Sequence, residues 1–135
     1  MGTRSTTKIY DNGKLVLALY KQFDGYIEGW GKESKEFLNL GKWCNGICLA
    51  DTEKGIRVFN GISDFALQIV TNFKTEAGGL YATTEDDKQE YNYEICFIPH
   101  RRKHFSLEGS RIKIICKQDS KFNQTFKIDK NGRLV

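Results

Sequence analysis

His100-Arg101-Arg102-Lys103-His104 sets three permanent cations side by side between two histidines. Guanidinium and ammonium groups packed this closely suit phosphate oxygens, so the run reads as a grip for nucleic acid or a nucleotide-like anion, or as a short nuclear-targeting patch. Downstream, Arg111, Lys113 and Lys117 alternate with Ile112, Ile114 and Cys116. On a strand that alternation sends the cations to one face and the apolar residues to the other. Lys127 falls on the following strand, and a basic sheet face continuous with the loop is expected. The candidate anion ligands are therefore Arg101, Arg102, Lys103, Arg111, Lys113 and Lys117. Phe122 and Phe126 are expected to point inward, which leaves this face without stacking platforms for bases. The bland alternative is an ordinarily charged loop and outer face.

A second constellation is Tyr20-Lys21-Gln22-Phe23-Asp24-Gly25-Tyr26, at the junction of a strand and a helix. Exposed amides and a helix start meet at such corners, and ligands often sit there. The candidates are Tyr20, Lys21, Gln22, Asp24 and Tyr26. The competing reading is a turn in which Asp24 caps the helix and Gly25 supplies the bend.

Metal and catalytic chemistry find less support. Cys44-x3-Cys48, and Cys96-x3-His100-x3-His104 with Cys116, supply zinc-ligand types without the two-residue gaps of ribbons and fingers. No metal or cofactor is expected. G-x-S-x-G, H-E-x-x-H and G-x-G-x-x-G are all absent. The glycines between Gly25 and Lys32 miss the phosphate-loop spacing by one, and Glu33 stands where that motif needs a hydroxyl. Binding is thus expected ahead of catalysis, with a small phosphoester hydrolase using Asp24 as the remaining enzymatic alternative.

The elements that must position these residues follow from periodicity. Residues 3–10 read as a strand. Asn12-Gly13 is a hairpin turn, and residues 14–22 form a second strand, apolar on both faces and therefore central. Ile27, Trp30, Phe37 and Leu40 suggest a helix after Asp24, weakened by Gly29 and Gly31 and ended by Gly41. Residues 41–55 are irregular. Ile62, Phe65, Ala66, Ile69, Val70 and Phe73 mark the clearest helix, over 62–75, capped by Asn60 or Ser63 and stopped by Gly78-Gly79. Strands follow at 80–84, 90–98, 110–117 and 122–129. The expected fold is α+β over residues 1–135: a mostly antiparallel sheet of five or six strands with two helices packed on one face.

The chain has 135 residues and a net charge of +4, unevenly spread. Residues 51–98 carry 4 basic and 9 acidic groups, and residues 99–135 carry 10 basic and 3 acidic. An acidic middle beside a basic end suits an anionic partner, or self-association into a homodimer. No run of about 20 apolar residues is present, so no membrane span is expected. The four cysteines with no export signal suggest free thiols in a reducing, intracellular setting. Met1-Gly2 with Thr6 fits the loose myristoylation pattern, but the same residues read well as a first strand.

Met1-Gly2-Thr3-Arg4-Ser5, the Tyr20–Tyr26 block and Gly31-Lys32-Glu33 together resemble a group of uncharacterised small proteins of bacteriophages and large (giant) DNA viruses. Those proteins begin M-G-T-R-S and carry Y-[RK]-Q-[FY]-D-G-Y at this distance. The likeness covers about the first 40 residues; Ile27 stands where the group often has proline. It implies a viral accessory protein, in the cytoplasm or nucleus of an infected host or packaged in the virion, and it brings no activity.

Overall fold

The computed structural model describes residues 2–46, 51, 53–100 and 106–135. β1 (Ser5–Asp11) and β2 (Lys14–Lys21) form the expected hairpin, with Asn12 and Gly13 both at positive φ, 50° and 84°. That is the primed turn whose twist matches the flanking strands. A π-helical turn (Ile27–Gly31) leads into α1 (Lys32–Leu40), and β3 is Lys42–Cys44. β4 (Val58–Asn60) runs straight into α2 (Gly61–Phe73). β5 (Leu80–Ala82), β6 (Tyr91–Ile98), β7 (Arg111–Cys116), a 3-10 turn (Ser120–Phe122) and β8 (Gln124–Lys127) complete the order.

Six strands form one sheet in the order β5-β2-β1-β6-β7-β8, so the α+β class and six-strand count hold. The sheet is mixed, however, because β1 and β6 run parallel. β3 and β4 pair in a small separate parallel sheet, giving structure to part of the segment expected to be irregular. α1 and α2 serve one face. There Ile9, Leu19, Tyr93, Ile95, Ile112, Ile114 and Phe126 join Trp30, Phe37, Phe59, Phe65 and Ile69 in one buried cluster. Phe37 and Phe65 from the helices meet Phe59 and Trp43 at ring-centroid distances of 5.0–5.7 Å.

The central strand is β1, not the more apolar β2. Residues 5–9 of β1 are all buried although four of them are polar. Burial of polar groups is tolerated where each finds a partner, as three of these four do; the Ser5 hydroxyl has none among the described residues. Thr6 donates to Asn92 Oδ1 at 2.7 Å, Thr7 Oγ1 accepts from the Trp30 indole at 2.6 Å, and Lys8 donates to the Asp87 carbonyl at 2.8 Å. These partners lie 23 to 86 residues away, so local composition carries no sign of them.

Helix ends also differ from expectation. Tyr26, not Asp24, stands at the cap position of the π turn. Asn60 precedes α2, but its side chain makes no cap. Instead its N–H donates to Asp64 Oδ2 at 2.8 Å. α2 stops at Phe73, before Gly78-Gly79, and residues 74–79 form the turn into β5. The last strand is shorter than expected, because Ser120–Phe122 is a 3-10 turn capped by the Asp119 side chain, which accepts from the Lys121 N–H.

Candidate anion-binding face

The sheet has a second face, away from the helices. Register places Ile98, Arg111 and Lys127 side by side across β6, β7 and β8. Two residues along, Cys96, Lys113 and Thr125 form the next row. Arg111, Lys113 and Lys127 are all exposed, while Ile112, Ile114 and Phe126 between them are buried, as the alternation requires. No carboxylate pairs with any of these three cations among the described residues.

Lys117 is different. It reaches Glu94 at 3.2 Å, so its charge is locally answered and it contributes less to the basic face than expected. Arg101, Arg102 and Lys103 lie outside the described residues, as do His104 and Cys48. Pro99, His100 and Gly109, on either side of residues 101–104 in the sequence, sit beside Arg111.

At that end Ile98, Pro99, His100, Gly109, Arg111 and Lys127 line a cleft of about 290 Å³. His100 N–H donates to Ser110 Oγ at 3.1 Å, which ties the two sides of the loop together. The His100 ring lies where a side chain on Gly109 would be: a Cβ there would stand 2.7 Å from it, and Gly109 has φ +86°. The positive φ and the close approach of the His100 ring both favour glycine at this wall of the cleft. The cleft escapes composition-based reading, because Ile98, Gly109 and Lys127 come from three separate stretches.

Cys96 stands in the row beside Lys113 and is half-buried. Burial pushes its thiol up from the ordinary range, Glu94 adds to this, and Lys113 partly offsets it. At neutral pH it is a neutral thiol. Among the described residues, no group of three or more histidine, cysteine or acidic side chains converges as a metal centre would require.

The corner block is placed as a structural joint. Gly25 N–H donates to the Thr3 carbonyl at 2.9 Å, the Tyr93 hydroxyl donates to the Gly25 carbonyl at 2.7 Å, and Trp30 N–H donates to the Asp24 carbonyl at 2.8 Å. A Cβ on Gly25 would stand 2.6 Å from Ser5 Cβ, so the block is closed against β1. Burial also pushes the Tyr93 hydroxyl far up, consistent with its place as a fixed donor. Asp24 takes positive φ (56°) and is exposed; its side chain has no hydrogen bond or ion pair among the described residues. Tyr20 donates to Gln22 and stacks obliquely on Tyr81 at 6.1 Å, and the Lys21 ammonium stands 5.3 Å from the Trp30 ring centre. Tyr26 is exposed. The backbone of Asp24 and Gly25 is thus committed to holding the N-terminal segment, the π turn and β6 together.

No family model matches the chain, and no curated protein or solved structure matches it. No helix among the described residues is long and apolar enough to cross a membrane.

Proposed function

We propose that this protein acts by binding rather than catalysis, and that its ligand is a polyanion, nucleic acid or a nucleotide-like phosphate, taken by the β6–β7–β8 end of the open sheet face. The observation that carries this reading is the cross-strand placement of Arg111 beside Lys127 with Lys113 on the same face, none of them answered by a carboxylate among the described residues. Three exposed cations within two rows attract phosphates at a distance and hold them through charge-assisted hydrogen bonds. Arg101, Arg102 and Lys103 follow His100 in the sequence and carry three further positive charges. The resemblance to small viral proteins supports a setting in an infected cell or a virion.

Fluorescence anisotropy with a labelled oligonucleotide tests it. Binding is expected at low salt, with log affinity falling against log salt with a slope of about −3 or steeper, close to one unit per phosphate contact, of which Arg111, Lys113 and Lys127 supply the first three. A free nucleotide competing as well as the oligomer would narrow the ligand to the nucleotide-like case. An absence of binding to either at low salt would remove the reading. Asp24 is the one acidic residue of the Tyr20–Tyr26 block, which has no histidine, and its side chain makes no hydrogen bond among the described residues, so the hydrolase reading gains no support from the geometry.

A further inference from the structure

The two edges of the six-stranded sheet are finished differently. At the β8 edge the chain closes on itself: Lys127 and Val135 exchange N–H to carbonyl bonds, both 2.9 Å, and Ile128 bridges to Leu134. At the other edge β5 is only three residues long and pairs with Leu19–Lys21 of the eight-residue β2. The last bond on that side runs from Thr83 N–H to the Ala18 carbonyl at 2.9 Å. There the chain leaves the edge and crosses onto the open face, where the Asp87 carbonyl meets Lys8. The outward backbone of Lys14–Leu17 is left without a partner among the described residues.

An unfilled edge is a template for another strand, and proteins usually blunt it with proline, inward charge or bulges. β2 carries one such device, the register shift opposite Ile9 and Tyr10. Otherwise the stretch is Leu15-Val16-Leu17, three apolar residues with Leu15 exposed and the other two half-buried.

We propose that this edge is where a second copy of the chain adds. β2 would pair antiparallel with β2 of the other copy about a two-fold axis near Val16, giving one sheet across two molecules. A two-fold pairing is isologous, so one contact fills both open edges. The charges favour a second copy over an unrelated strand. Antiparallel pairing of Leu15–Leu17 brings Lys14 of each molecule up against Thr83 of the other, which holds the Ala18 carbonyl and leads into Glu85-Asp86-Asp87. Symmetry makes that basic-to-acidic approach twice. The shared run is short, which puts the contact at the small end of specific interfaces and makes the dimer weak and concentration-dependent.

Sedimentation equilibrium on the full chain over a wide concentration range tests this. The expected result is a monomer mass at low concentration rising toward a dimer, with high salt shifting the curve toward monomer. Leu15→Lys places like charges across the two-fold and is expected to weaken the dimer by about tenfold or more. Its position is already exposed, so circular dichroism should report an unchanged fold. Lys14→Glu, which faces the other copy's acidic run with its own charge, is expected to weaken it as well. A monomer at every concentration overturns the proposal, and so does a dimer that survives Leu15→Lys in a folded protein. Oligonucleotide binding by Leu15→Lys at the wild-type level, and dimerisation by Arg111→Ala/Lys127→Ala, separate this surface from the anion-binding face.

Discussion

The two halves of the sheet's open face hold cations in opposite ways. Over β1 and β2 the face is covered: Lys8 is 5 % exposed and Thr6 is fully buried, beneath the 83–90 crossover. That crossover is a network in its own right. Thr83 donates to Asp87, Gln89 donates to Asp87 at 2.8 Å, and the Gln89 N–H donates to Asn92 Oδ1 at 2.9 Å. It lays the chain's densest acidic run over the one lysine of β1. Over β6, β7 and β8 nothing described lies on the face, and Arg111, Lys113 and Lys127 meet solvent. The same sheet therefore uses one cation as a tether and leaves three without a carboxylate among the described residues. The charge asymmetry between the middle and the end of the chain becomes, in three dimensions, a difference between neighbouring halves of one surface.

The comparison can be broken hardest at Asn92, the buried hinge of the covered half. Its side chain accepts from Thr6 and from the Gln89 N–H and donates to the Gln89 carbonyl. Asn92→Ala is expected to cost about 2–3 kcal/mol by stranding these groups. Lys113→Ala on the bare half should stay within about 0.5 kcal/mol. Urea denaturation of both variants measures the contrast.

The next effect falls on binding alone. Arg111→Ala/Lys127→Ala is expected to leave the melting temperature in place and to reduce the salt slope of oligonucleotide binding by about two. An unchanged slope would mean that the bare cations do not meet phosphate.

A smaller effect reads the cover itself. The Tyr10 hydroxyl is pushed up to about 12, first by burial and then by Glu94 and Glu85. A phenol whose folded value exceeds its unfolded value of 10.0 stabilises the fold fully below that value. The contribution is then lost as pH rises from there toward about 12. Glu85→Gln should bring Tyr10 part of the way down, because burial remains. Ultraviolet titration against a Tyr10→Phe reference follows the shift.

The smallest effect is at Cys96, on the bare half, where Lys113 alone opposes the upward push on the thiol. Alkylation of Cys96 at mildly alkaline pH is expected to be slower than in the unfolded chain. Lys113→Ala should slow it further, and time-resolved mass spectrometry of the labelled protein checks both.

Much of the fold was legible because local rules governed it. Asn12-Gly13 turned where such a pair turns. The apolar stripe from Ile62 to Phe73 became α2, and alternation from Arg111 to Cys116 sorted cations from core. Reading failed where a residue's role depended on a distant partner. Thr6, Thr7 and Lys8 give no sign of a central strand, since what makes them buriable is Asn92, Trp30 and Asp87. β2, apolar on both faces, has the composition of a central strand, yet part of it lies at an open edge. Asp24 had the residue type of a cap, but positive φ turned its carbonyl, not its side chain, toward the helix start.

By itself, then, the sequence determined which residues pair locally, which stripe is buried, and that the basic and acidic groups are segregated along the chain. Tertiary structure alone decided that β1 lies parallel to β6, that the acidic crossover settles over Lys8, and that Arg111 and Lys127 become neighbours. The physical reason is range. Turn geometry and side-chain alternation act over a few residues, whereas strand order and the matching of buried polar groups act between segments that only folding brings together.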